Sequence, residues 1–343
     1  MNKLKDQPTN QTRMNATLKP IGGFFELELP AKGTLYHDSA LALANGRVCL
    51  KVLLERVKPA KVYLPFYCCD SVVLPMRQKG IAYEFYAINA AFDPVGIPLL
   101  ADNELFLYIN YFGLKSRTAR KLAQLLGEQL ILDNSQAFFE ESYGATWSFN
   151  SVRKFFGVPD GAFLYSPQYL EDKFAPNAPF FIDHLWLRLR GKQEEAFRYY
   201  QQSEAMQTLE TNGMSQISKQ ILYSVDFSAV ARARKKHYRQ LDRALRHLNK
   251  MPHALIEPSP SVVPYCYPFL LSQPISKAQF YENGIFLMTL WEDVLNRHTE
   301  GYHFEKMLSH NLLPLPIDHR LDQQDLQRII DAVIRLTNTH AVG

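Results

Sequence analysis

The chain has 343 residues, 38 of them Lys or Arg and 34 Asp or Glu, for a net charge of +4; 47% are hydrophobic and 13% aromatic. This composition supports one large globular domain plus a smaller one and excludes disordered, collagenous and fibrous chains. The weak net charge, without a run of five or more Lys or Arg, excludes a nucleic-acid groove and leaves a small molecule as the expected partner.

In chain order, residues 1–19 are polar and aperiodic and read as an extended arm. From Leu41 to Val57 the apolar residues recur at mostly three- and four-residue spacings, which predicts an amphipathic helix with Gly46 at or near its start. Lys61 to Pro65 is a short β-branched and aromatic strand, followed by a helical pattern to Gln78 and a turn at Gly80. Ala82 to Ile88 and Glu104 to Tyr111 read as strands, Arg117 to Leu126 as a helix, and Gln129 to Leu132 and Ala162 to Tyr165 as strands. Buried apolar strands alternating with amphipathic helices predict an α/β fold with a mainly parallel sheet covered on both faces. Ligands of such sheets bind beyond the carboxyl ends of the strands.

Residues 183–250 carry long charged and glutamine-rich helical patterns, including a helix from Ala229 to Leu248. Then come strands at Tyr265 to Leu271 and Phe286 to Leu290, and helices at Lys277 to Asn283 and Gln323 to Leu336. The resulting division is an arm at 1–19, a large α/β domain at 20–225 and a small C-terminal α/β domain at 226–343.

Four cysteines, Cys49, Cys68, Cys69 and Cys266, lack CxxC spacing, so neither a zinc site nor a disulfide framework is expected and the compartment is read as the reducing cytoplasm. Ten histidines without HxH or HxxxH spacing disfavour a metal site. No apolar run approaches the roughly 18 residues that span a bilayer, and no signal peptide is visible.

The chemistry gathers between Leu130 and Tyr165. Asp133 directly follows a buried strand, where an unpaired carboxylate is costly, so a cationic partner is expected. Ser148, Asn150, Ser151, Arg153 and Lys154 cluster ahead of the Pro159-Asp160-Gly161 turn. A carboxylate for a pyridinium nitrogen, an amine for an aldehyde and a glycine-bearing helix start for a phosphate match the needs of pyridoxal phosphate.

On these residues the chain resembles the DegT-like nucleotide-sugar aminotransferases, a branch of the fold-type I pyridoxal phosphate enzymes. Asp133-Asn134-Ser135-Gln136-Ala137 is similar to that family's acidic-x-x-Gln-Ala motif. Trp147-Ser148-Phe149-Asn150, with Lys154 and Asp160-Gly161, is similar to its Ser-Phe-His, Lys and acidic-Gly-Gly motif. Gly46-Arg47-Val48-Cys49-Leu50 lies where the family has a phosphate turn, and Leu64-Pro65-Phe66-Tyr67-Cys68 where it has a cofactor-stacking loop.

The resemblance implies that Lys154 forms the internal aldimine, that Asp133 keeps the pyridine nitrogen protonated and that Gln136 lies against the ring. It implies that Ser148 and the amides of Gly46 and Arg47 hold the phosphate, with Asn150 and the Tyr67 ring beside the cofactor. It also implies a homodimer, and transfer of an amino group from a small-molecule donor such as glutamate to a keto group, on a nucleotide-linked sugar bound for a polysaccharide. Neither nucleic acid nor membrane is an expected partner.

The chain departs from the motif at informative places. Counted without gaps from Ser148, the lysine position falls on Arg153, and one inserted residue brings Lys154 into register. Arg47 and Val48 replace the small hydroxyl residue of the phosphate turn, and Gly213 stands where the family's Asn-x-Arg-Met-Ser has its arginine. These departures motivate an alternative: a member that keeps the fold and serves as a binding or regulatory protein.

Overall fold

The computed structural model describes residues 29–341 except 31–32, 171–172, 178–180, 208, 257 and 299. The expected arm at 1–19 lies outside the described residues.

The chain opens with strand β1 (Leu41–Leu43) and helix α1 (Gly46–Val57), then β2 (Lys61–Pro65), α2 (Asp70–Lys79), β3 (Ala82–Tyr86), β4 (Glu104–Ile109) and α3 (Ser116–Leu126). Next come β5 (Leu130–Asp133), β6 (Trp147–Phe149) and β7 (Ala162–Tyr165). These strands form one seven-stranded sheet in the order β1-β7-β6-β5-β4-β2-β3. The run from β3 to β6 is parallel, and β7 alone is antiparallel to its two neighbours. The mainly parallel α/β sheet expected from the continuous apolar strands is therefore present, with Val62, Leu64, Phe106, Leu107, Ile131 and Leu132 shielded in its core.

Local physics sets the boundaries. Asn45 caps α1 by accepting the Val48 amide at 3.0 Å, and Gly80 ends α2 in the left-handed conformation, φ 64°. Helix α1 begins at Gly46, as expected, and the preceding Leu41, Ala42 and Leu43 form a strand by pairing with Leu164, Phe163 and Ala162 of β7.

Four helices link the sheet to the C-terminal part: α4 (Asp183–Leu189), α5 (Gln193–Ala205), α6 (Gln216–Tyr223) and the long α7 (Phe227–Leu245). After α8 (His253–Ile256) come β8 (Tyr267–Leu270), α9 (Lys277–Tyr281), α10 (His303–Asn311), β9 (Leu312–Leu315) and α11 (Gln323–Ala341). Strands β8 and β9 pair antiparallel, and with α7 and α11 they enclose a second apolar core that includes Leu241, Phe269, Leu315 and Val333.

The strand expected at Phe286 to Leu290 is absent. The segment keeps a strand's alternation, with Leu287 buried and Phe286 and Met288 half-exposed. Its carbonyls, however, are taken by side chains: Tyr281 donates to the Leu287 carbonyl at 2.9 Å and Lys277 to the Met288 carbonyl at 3.2 Å. β8 pairs with Leu312–Leu315 instead.

Candidate active site

Parallel strands β5 and β6 end side by side, with Asp133 in register with Phe149. Asp133 is 5% exposed; its Oδ1 accepts the Ser135 amide at 2.8 Å, a local turn that orients the carboxylate. Among the described residues no Lys or Arg forms an ion pair with it, so the expected cationic partner is not a protein side chain here. Burial pushes the Cys49 thiol on α1 well up, and the negative charge of Asp133 adds to that rise, which ties α1 to this carboxylate.

Gln136 is buried, and its Oε1 accepts the Phe112 amide at 2.7 Å. The pleat of β6 turns Ser148 and Phe149 to opposite faces. Phe149 lies against the start of α1, 3.5 Å from where a Cβ on Gly46 would stand, so Ser148, 1% exposed, lies on the other face. Asn150 is equally buried; its Oδ1 accepts the Phe163 amide at 3.1 Å, while its Nδ2 has no partner among the described residues. Tyr67 is fully buried beside Trp291, ring centroids 4.5 Å apart, and stacks on Tyr111 at 6.0 Å. It lies in the main apolar core.

After β6 the chain makes a single tight turn, Val152–Lys154. Val152, Phe155 and Phe156 anchor it in a third apolar cluster with Phe138, Phe163 and Met214, and buried Arg234 of α7 lies over the Phe155 ring at 4.5 Å. Lys154 is exposed, whereas the Arg153 side chain is only 12% exposed and forms an ion pair with Glu204 of α5. Arg47 reaches the same carboxylate at 3.7 Å.

The next turn is held by Asp160. Its carboxylate accepts the Ser215 hydroxyl at 2.7 Å, the Ser218 hydroxyl and the Asn177 side-chain amide at 2.8 Å, which docks the start of α6 against the loop that carries Lys154. Glu204 and the docking role of Asp160 were not anticipated. The Ser215-x-x-Ser218 spacing at a helix start was a usable signal for the second; nothing local marks the first.

A cavity of about 900 Å³ opens next to this loop, at Gly157, walled by Trp186 and Arg188 of α4 and by Phe286, Asp318 and Arg320 from the C-terminal part. Among the described residues no group of His, Cys, Asp and Glu is arranged to hold a metal ion, and no helix is long and apolar enough to cross a membrane.

The residues at the sheet edge fit a pyridoxal phosphate in three respects. Among the described residues, a buried carboxylate without a protein cation stands at the end of β5, an orphaned buried donor, Asn150 Nδ2, follows β6, and the Asn45 cap takes the Val48 amide rather than those of Gly46 and Arg47.

No protein-family model matches the sequence, and no curated protein matches it either. Solved structures do. The aminotransferase TlmJ from Streptoalloteichus hindustanus superposes with a TM-score of 0.62 at 14% identity, over 89% of this chain and 87% of its own. DesV of S. venezuelae, solved with a ketimine intermediate, gives 0.60 at 16% identity over 87% and 84%. NtdA from Bacillus subtilis, solved with bound cofactor PMP, gives 0.58 at 12% identity over 87% and 73%. The chain thus shares, over most of its length, the fold of these aminotransferases.

Proposed function

We propose that the protein is a pyridoxal-phosphate-dependent aminotransferase that moves an amino group from a small donor such as glutamate to a keto group on a sugar, in a nucleotide-linked form. The observation that carries this reading is the parallel adjacency of β5 and β6, because Asp133 ends β5 and the turn bearing Lys154 follows β6 at the same end of the sheet.

When bound, the cofactor supplies an electron sink for the substrate carbon that loses its proton. In this reading the Asp133 carboxylate holds a proton on the pyridine nitrogen, which strengthens that sink, and its burial keeps water from competing. Lys154 would hold the cofactor's aldehyde through its Nζ, and the same amine would serve as the acid and base that moves a proton at the substrate carbon. Gln136 steadies the loop against the ring, and Gly46, Arg47, Ser148 and Asn150 serve the phosphate side. The cavity beside Gly157 is large enough for a sugar and brings arginines to its anionic groups. We place the working form as a cytoplasmic homodimer, with residues 20–225 and 226–343 as its large and small domains and polysaccharide synthesis as its setting.

The test is spectroscopic. Protein mixed with pyridoxal 5′-phosphate should turn yellow, Lys154→Ala should abolish the colour, and glutamate should bleach it. Colour retained in Lys154→Ala overturns the assignment of the amine. The second reading, a binding or regulatory protein, has one specific support: Arg153 stands in the ungapped lysine register and is paired with Glu204. It predicts no lysine-dependent band and no bleaching by glutamate.

A further inference from the structure

Glu204, in the last turn of α5, sets one carboxylate between two guanidiniums from separate parts of the site. Its Oε2 faces Arg47 Nη2 at 3.7 Å, and its Oε1 meets Arg153 Nη1. Ser203 Oγ lies 3.5 Å from Arg153 Nη2, and Gln207 Nε2 lies 3.5 Å from the same Glu204 Oε1. The Arg153 guanidinium also lies over the Tyr200 ring at 5.7 Å. Two cations against one anion leave a positive charge unmatched. With Arg153 only 12% and Arg47 22% exposed, water screens that excess incompletely. Glu204 is 36% exposed, so its carboxylate has a path into solvent.

We propose that Arg47 and Arg153 form a clamp for a phosphate monoester, and that Glu204 is a built-in occupant which the entering phosphate displaces. A phosphate monoester dianion matches both guanidiniums in charge and offers three oxygens, where the carboxylate offers one charge and two. Glu204 is released to water at small cost because it is already partly exposed. The clamp shares Arg47 with the pyridoxal reading and rests on it only for which molecule bears the phosphate.

The test titrates the full-length protein with inorganic phosphate by calorimetry, with no pyridoxal present. Glu204→Gln should bind phosphate about 10-fold more tightly than the unaltered protein, and adding Arg153→Met to it should cancel the gain. If Glu204→Gln fails to fold, Glu204→Ala carries the same expectation. On the unaltered protein, phosphate should protect Arg47 and Arg153 from phenylglyoxal. Equal affinity in the glutamate variants and the unaltered protein, a gain that survives Arg153→Met, or absent protection overturns the clamp. Loading pyridoxal 5′-phosphate first separates the two sources: blocked phosphate binding assigns the clamp to the cofactor's own phosphate, and undiminished binding assigns it to a phosphate on the substrate. The pyridoxal reading fails on a different signal, a missing visible band with phosphate binding intact.

Discussion

The side-chain carbonyl of Gln136 accepts the backbone N–H of Phe112 at 2.7 Å, and Phe112 is held there with φ 58°, a left-handed conformation that a phenylalanine rarely adopts. The loop after β4 is thereby fastened to the loop after β5, on the edge where Asp133 ends its strand. Both groups are buried, so Gln136→Ala leaves an amide without a partner and should cost about 1–3 kcal/mol. Gly113→Ala should cost at least as much, since its φ is 68° and the new Cβ would sit 2.6 Å from the Gln136 backbone carbonyl. Urea unfolding curves check both; a loss under about 0.5 kcal/mol in either would show the fastening to be unimportant.

His37 makes stability depend on pH in a defined window. It is fully buried; its Nε2 donates to the Phe138 carbonyl at 2.6 Å, which leaves Nδ1 to accept the Tyr165 hydroxyl at 2.7 Å. Burial, opposed by the Phe138 carbonyl and by Asp38, lowers its pKa to about 4. The unfolded chain, titrating near the ordinary 6.5, therefore takes up a proton at a pH where the folded chain does not. Stability from this group is present above about pH 6.5 and is lost as the pH falls towards 4, up to about 3 kcal/mol. His37→Gln keeps one donor and one acceptor without titrating, so the stability gap between the two proteins should narrow or reverse from about pH 7 to about pH 5. A gap that stays constant refutes the assignment.

Asp160 predicts an effect on the loop out of proportion to its size. Its carboxylate collects the Ser215 and Ser218 hydroxyls and the Asn177 amide in a site only 4% exposed. Asp160→Ala should cost about 3 kcal/mol by stranding several buried donors, and hydrogen exchange should quicken in α6 and in residues 152–158 while the β2–β5 sheet stays protected. Uniform loss of protection would argue instead for a global role.

How far the sequence revealed this molecule depended on the range of the interactions involved. Lys61–Pro65 and Ala162–Tyr165 were legible to the residue because short apolar and aromatic runs bounded by Pro or Gly carry their own signal. Leu41–Leu43 did not announce itself as a strand because a three-residue apolar run has no decisive period, and its pairing with β7 joins residues more than a hundred positions apart. Trp147–Phe149 is too short to announce itself as a strand, although it places the whole Ser148 to Lys154 segment. Asp133 was legible as a buried carboxylate at a strand end. That Arg47 and Arg153 share one glutamate was not, because a charge in sequence names no partner until the fold supplies one.

Asp133→Asn separates the fold from the chemistry. The one hydrogen bond the carboxylate makes among the described residues, from the Ser135 amide to Oδ1, is equally available to an asparagine carbonyl oxygen. No ion pair is lost among the described residues, so stability should change by less than about 1 kcal/mol. If the pyridine nitrogen is held at this position, the amide fails to keep it protonated, and turnover should fall by about 100-fold or more. The measurement pairs a urea midpoint with single-turnover bleaching of the yellow form by glutamate. A variant that unfolds readily assigns Asp133 to the scaffold; one that folds normally yet transfers amino groups at the unaltered rate removes it from the active site.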